Sequence, residues 1–556
     1  MSIQFEVGRE DFDLLRKSGA YYVDKTELIY DLVQNAANAV TLFTRPRRFG
    51  KTLNMSMMES FFDINRDSRP VFEGLDIVKH DSFCAEWMNR YPVLFISFKD
   101  VDGLDFESAY RQMQSILADY CKLIAQLFEG KNVDPADKDI FERLRYQKAT
   151  LADVKGALKT IMRMMNAVYG KPVILLIDEY DVPLSKASEK NTSKNRYYEQ
   201  MLDLIKGILS ISIKTNEYLR LAVVTGCLRI AGESIFTGTN NFASYSVLDD
   251  RFSQYFGFTQ EEVNVLLRAA DLTHKADTFR SWYDGYVFGN TPVYCPWDVV
   301  NYASELLYKS EAKPKNYWKN TSSNGVIRDF VSHTGWDIHD KFEVLMNGGS
   351  IRQTISDELT YDSLHDSEQN LWSILLMTGY LTKADPNEEE NTVSLKIPNT
   401  EINGIFEDAV VKLFTETLDN SKQRELMSAL WDGNVTGATQ RLDDFLWDTI
   451  SYNDYHEDYY HAFLAGLFVG MGYSVDSNKE SGLGRFDVLV KDRRNRRAML
   501  IEAKKSNSGE QMDKDCDEAL KQIADKGYAR SIEPGYQNFL CYGISFYRKS
   551  AKIKKL

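Results

Sequence analysis

Residues Arg45 to Thr52 read RPRRFGKT directly after the apolar run AVTLF, and far downstream PVILLIDEYD carries a second apolar run that ends in Asp178 and Glu179. Short continuous apolar runs suit central strands of a parallel sheet, which are buried on both faces. A turn leading from such a strand into a helix presents backbone N–H groups at the helix N-terminus, where the dipole favours an anion. These two segments restrict the N-terminal part of the chain to an α/β fold with a covered parallel sheet, and they form the core of a nucleoside triphosphatase.

Each residue type in the turn has a chemical reason to be there. Lys51 is expected to reach the outer phosphates and the Thr52 hydroxyl to hold magnesium, with Gly50 before them. The first glycine of the usual phosphate loop falls at Arg45, so the loop is incomplete by that standard. Arg45, Arg47 and Arg48 are further cations that suit phosphate. Asp178, at a strand end, is expected to orient magnesium through water, and Glu179 to polarise the attacking water. Thr225, closing the run LRLAVVTG, is expected to touch water or the γ-phosphate, and Arg229 to approach the phosphates from the same loop. ATP and Mg2+ follow as the expected ligands.

The pattern around these motifs predicts strands at Ala39–Thr44, Pro92–Phe98, Pro172–Asp178 and Leu219–Gly226. It predicts helices over Lys51–Phe62, with Leu53, Met57, Met58 and Phe61 on the apolar side, and over Asp105–Phe128, Leu151–Tyr169 and Tyr197–Ser212. After about Ser253 the chain reads mostly helical and aromatic to about residue 440, with Thr259 and Glu262 spaced as a capping box. Leu381–Ala384 and Val393–Ile397 are expected as short strands joined by a turn. The expected domains are an ATPase domain over 1–252, a helical lid or middle domain over 253–450, and a third α/β domain over 451–556.

That third part carries a different chemistry. Asp487 lies in FDVLV and Glu502 and Lys504 in LIEAKK, a spacing that puts the last two on one face of a strand. A hairpin tipped by KDRRNRR would bring Asp487 alongside Glu502, and Glu457 in a preceding helix is a further carboxylate. Carboxylates that gather divalent ions, with a lysine to orient or activate water, suit phosphodiester cleavage. Magnesium prefers such hard oxygen ligands, and Mn2+ is an alternative at this site. His456 and His461 flank the region and are given no role.

At 556 residues the chain has room for two to four domains. The six cysteines are scattered with no close pair, which fits a reducing, cytoplasmic setting and no zinc pattern. MSIQFEVGREDF lacks the charge and apolar order of a signal peptide, and no run approaches bilayer length, so no membrane partner is expected. The net charge of −14 opposes loose attraction to nucleic acid. Metal ions and local basic stretches, KDRRNRR and the C-terminal SFYRKSAKIKKL, offset that field at one place; otherwise they are a hairpin turn and a solvated tail.

From YYVDKTELI through TLFTRPRRFGKTLNMSMMESFFD, VILLIDEYDVPL, VVTGCLRIAGESIFTGTNNF and FRSWYDGYVFG, the chain resembles the AAA-ATPase-like family, whose members commonly carry a C-terminal PD-(D/E)XK nuclease-superfamily domain. The resemblance spans nearly the whole chain, and the family shares the RPRRFGKT form of the loop. It implies Lys51 and Thr52 as loop residues, Asp178 and Glu179 as the second acidic motif, and a helical Glu, then Asp, then Glu-x-Lys as the nuclease layout, with Gln522 near the metal or substrate. An ATP-regulated nuclease acting on DNA or RNA is the leading expectation. A nucleotide-dependent switch or scaffold with a non-cutting module, and a protein-remodelling ATPase, stand beside it. Large ATPases of this class often form homo-oligomeric rings; neither subunit number nor whether an arginine acts in cis or trans is encoded in these motifs.

Overall fold

The computed structural model describes residues 3–34, 39–189, 197–230, 242–318, 339–346, 348–356, 358–359, 361, 367–385, 392–406, 420–449, 460, 463–465, 467–468, 473–481, 484–492, 495–526, 536 and 538–556. The chain forms two compact units, Met1–Ser322 with Arg352–Glu401, and Ser323–Ile351 with Ile402–Leu556. The region read as a middle domain is thus divided between the two.

The first unit is built on five parallel strands, β1 (Val40–Thr44), β2 (Val93–Ser97), β3 (Val173–Asp178), β4 (Leu219–Gly226) and β6 (Phe242–Tyr245), in the order β2-β3-β4-β1-β6. Every residue of β1 and β3 is buried, as their unbroken apolar runs require. Because β4 lies between β1 and β3, the ends of all three meet at one edge. Ligands of open parallel sheets bind at such an edge.

The helix after β1 spans Lys51–Phe62, as the sequence indicates, but most of its circumference is buried, so it has no clean polar face. It starts at Gly50, whose φ of 83° is costly for any residue with a Cβ. The sequence pattern also missed the helices Pro135–Arg145 and Val182–Glu189.

Arg45 does not face phosphate. It is fully buried, donates from Nη1 to the carbonyls of Thr44 and Tyr245 at 2.9 Å each, and lies over the rings of Phe256 and Phe288. The position where a standard loop has glycine is therefore a packing position here.

The N-terminal segment packs into the same unit. Phe5 joins a core with Val263, Leu266, Phe279, Tyr283 and Tyr302, from helices Gln260–Ala269, Ala276–Tyr283 and Pro296–Tyr308. The Thr259–Glu262 capping box forms, and the Glu262 carboxylate also takes the buried Lys25 ammonium at 2.6 Å. The remaining strands are short. β5 (Arg229–Ile230) pairs with β10 (Glu358–Leu359), and β7 (Tyr286–Phe288) with β8 (Thr291–Val293). β11 (Thr382–Lys383) and β12 (Thr392–Lys396) pair antiparallel, as expected, and β9 (Ile351–Thr354), at whose first residue the division between units falls, completes their sheet.

The second unit holds a five-stranded sheet, β13 (Ser474–Ser481), β14 (Gly484–Asp492), β15 (Arg497–Lys505), β16 (Asn538–Tyr547) and β17 (Ser550–Lys555), in sequential order. Only β15 and β16 pair in parallel, so a crossover must join them, and helix Met512–Lys526 supplies it. The basic C-terminus is a strand and not a solvated tail. In SAKIKK, Ala551 and Ile553 point inward and their neighbours outward, the period of a half-buried edge strand.

Candidate functional site

At the edge where β1, β3 and β4 end, the turn after β1 curls over Lys51. Its ammonium donates to the carbonyls of Arg45 and Pro46 at 3.2 and 3.1 Å and sits 3.3 Å from Glu179 Oε1. Burial alone would lower its pKa, but Cys227, Glu179, Asp178 and Asp181 outweigh burial and raise it, so the lysine stays charged. Thr52 Oγ1 donates to Asp178 Oδ2 at 2.8 Å, although 126 positions separate them. Burial, reinforced by Glu179, raises the Asp178 carboxyl, against hydrogen bonds from Thr225 and Thr52 and the charge of Lys51.

Thr225 stands behind Asp178 and not on the cavity wall: its hydroxyl donates to Asp178 Oδ1 and accepts the Glu179 N–H at 3.4 Å. Arg229 also stays off that wall, in β5, where its charge lies beside Tyr180.

A cavity of about 600 Å3 opens on Lys51, Thr52 and Glu179, within the range of small-ligand sites, while Asp178 is fully buried behind Thr52 and off the wall. Arg47, Arg48, Gly50, Lys51, Thr52 and Glu179 line it together with Tyr21, Tyr22, Phe258 and Trp297. The Arg48 guanidinium lies 4.0 Å from the Trp297 ring centroid. Sequence reading missed this aromatic wall; Trp297 sits in CPWDVV, where Pro296 signals a helix start but nothing signals a cavity.

The residues fit a magnesium-bound triphosphate. The helix starting at Lys51 has no side-chain cap, so its first N–H groups are available to an anion. Glu179 Oε2 is buried without a hydrogen-bond partner, which is costly unless water or a cation meets it. Thr52 and Asp178 would hold the ion, whose charge would offset that of the phosphates.

Behind Arg48 lies a buried acid pair, Asp298 and Glu401, with Cys295 and the Trp318 N–H, which donates to Glu401 Oε1 at 2.7 Å. Burial first, and for Glu401 the charge of Asp298 next, raises both carboxyls. Stability from a raised carboxyl is complete below its unfolded pKa, about 4, and is lost as pH rises through the folded value. Glu401→Gln is therefore expected to flatten the decline of melting temperature above about pH 4; parallel curves for parent and variant would exclude Glu401 as its source.

In the second unit the pairing of Val488 with Ile501 puts Asp487 and Glu502 together on the other face. Asp487 Oδ2 accepts the Ala503 N–H at 2.8 Å, Gln522 Nε2 donates to Glu502 Oε1, and Lys504 Nζ lies 4.0 Å from the same oxygen. Glu502 is fully buried and Asp487 nearly so. Glu457, His456 and His461, and most of the helix expected around them, lie outside the described residues. Among the described residues no group of three or more His, Cys, Asp or Glu gathers as a metal centre, so these two carboxylates are the hard-oxygen donors in hand. Of the basic turn, Lys491 is bound to Asp476 and Arg497 to Asp492, both at 2.9 Å.

Comparison with known proteins agrees with both folds. Residues 6–236 match the family model described as Predicted AAA-ATPase, and residues 455–556 match that of the PD-(D/E)XK nuclease superfamily. The chain therefore carries an AAA-ATPase-like domain and a C-terminal nuclease-superfamily domain. It is also similar to an uncharacterized protein in the vnfD 5'region of Azotobacter chroococcum mcd 1, with 24% identity over 558 residues, covering 98% of this chain and 97% of that one. Among the described residues no helix is long and apolar enough to cross a membrane.

Proposed function

We propose that the protein is a Mg2+-dependent ATP hydrolase whose nucleotide state regulates metal-dependent cleavage of DNA or RNA by its C-terminal domain. The observation that carries the first half is the meeting of Lys51, Thr52, Asp178 and Glu179 at one sheet edge. Lys51 and the loop N–H groups hold the phosphates, and Glu179 takes a proton from the attacking water. The second half rests on Asp487, Glu502 and Lys504 sharing one face, with two carboxylates to hold Mg2+ or Mn2+ and a lysine to orient water.

A second reading, a nucleotide-dependent scaffold whose nuclease-like module binds without cutting, is favoured by one observation. Among the described residues no third His, Cys, Asp or Glu joins Asp487 and Glu502, which leaves a weak hold on the ion that cutting requires. Incubating the full chain with single- and double-stranded DNA and RNA, with Mg2+ or Mn2+ and with or without ATP, separates the two. The proposal expects cleavage whose rate depends on ATP. Binding without cleavage would establish the scaffold, and failure to bind any nucleic acid would exclude both.

A further inference from the structure

Glu179 has a φ of 53°, in the left-handed region that a residue with a Cβ adopts only when its surroundings impose it. The next two residues show what imposes it. The Tyr180 N–H donates to the Thr225 carbonyl at 3.0 Å, and its hydroxyl both donates to the Leu228 carbonyl at 2.8 Å and accepts the Ile230 N–H at 3.1 Å. Asp181, 1% exposed, accepts on Oδ2 from the N–H groups of Cys227 and Leu228 at 2.9 Å each. A third donor, the Tyr361 hydroxyl, reaches the same oxygen at 2.8 Å from a position 180 residues further along. Gly226 is needed for this closeness, since a Cβ there would meet Asp181 Oδ1 at 2.6 Å.

Tyr361 is itself tied down. Two residues earlier, β10 lies parallel to β5, with Leu359 opposite Ile230. The Tyr361 carbonyl accepts the Ser188 hydroxyl at 2.8 Å, from the helix that follows Asp181. The segment ending at Tyr361 therefore grips both the acidic motif and the loop after β4, while Tyr361 stays off the cavity wall.

We propose that Asp181 and Tyr361 are positioning residues that form a latch, holding Glu179 in its strained conformation opposite Lys51, so that the β10 segment sets the rate of hydrolysis without contributing to nucleotide affinity. This rests on the ATPase reading above. Tyr361→Phe removes one hydroxyl and keeps the ring. In the full chain it is expected to lower kcat about tenfold, the rate equivalent of one buried hydrogen bond. KM and the affinity for a fluorescent ATP analogue are expected to stay within about twofold, the signature of an effect on the chemical step alone. The Cys227 and Leu228 amides, followed by hydrogen exchange without nucleotide, are expected to lose protection. Asp181→Asn is expected to lower kcat in the same direction, but because it also removes a charge beside Lys51 and Arg47 the affinity comparison is read from Tyr361→Phe. Tyr302→Phe, which removes a hydroxyl of the same unit bonded to the Ala312 carbonyl, is expected to change none of these.

Unchanged kcat in Tyr361→Phe, or a loss of affinity matching the loss of rate, would overturn the latch. If the parent chain neither binds nor hydrolyses ATP, the ATPase reading fails on its own. The exchange measurement then still decides whether Tyr361 holds the loop, with unchanged protection counting against it.

Discussion

Glu179→Gln is expected to bind ATP at least as tightly as the parent chain and to hydrolyse it about 10²- to 10⁴-fold more slowly, the usual contribution of a positioned general base. The substitution keeps the shape of the side chain and removes its charge. Glu179 stands 3.3 Å from the Lys51 ammonium, so neutralising it frees the lysine from a competing anion. Rate and affinity are thereby driven apart. Lys51→Ala acts in the opposite way: it removes a charged donor to phosphate, expected to weaken binding about 10- to 100-fold. It also leaves Asp178 and Glu179 without the cation that offsets their burial, which lowers stability. Phosphate release and retention of labelled nucleotide, with a melting curve for each variant, check the pair. Parental hydrolysis by Glu179→Gln would remove Glu179 from its role.

Why these residues were legible and others were not comes down to range. The strands β1 and β3 and the helix at Lys51 are written locally, as unbroken apolar runs and a Gly-Lys-Thr turn, and such signals need no knowledge of the rest of the chain. The strand order is not local. Nothing within LRLAVVTG says that it inserts between β1 and β3, yet that placement puts Thr225 against Asp178 and off the cavity wall. Arg45 misleads for a related reason. A cation in a phosphate loop suggests phosphate, but its surroundings, Phe256 and Phe288, arrive from far along the chain. The bond between Asp181 and Tyr361 has no sequence signal at all. In SAKIKK the alternation was present, and reading the lysines as charge alone hid the strand that they decorate.

Asp487→Asn is expected to abolish metal-dependent cleavage while leaving ATP hydrolysis in place. Asp487 Oδ2 accepts the Ala503 N–H, a bond that an asparagine carbonyl can keep, so the hairpin should survive while a charged metal donor is lost. With only Asp487 and Glu502 supplying carboxylates among the described residues, losing either one halves the negative charge available there. The effect should exceed the roughly 10- to 100-fold that outer partners of a metal site contribute. Gln522→Ala supplies that outer case, since Gln522 only orients Glu502, and its loss should be partly recovered at higher Mg2+ or Mn2+. Lys504→Ala should instead lower the rate at saturating metal, because a lysine that orients water does not hold the ion. Titrating cleavage against metal concentration separates the three. If Asp487→Asn cuts as fast as the parent, the carboxylate face of β14 and β15 is not the cutting site. If the parent never cuts but binds DNA or RNA in a way that ATP changes, the same face belongs to a switch, and its acids then serve to hold the sheet together.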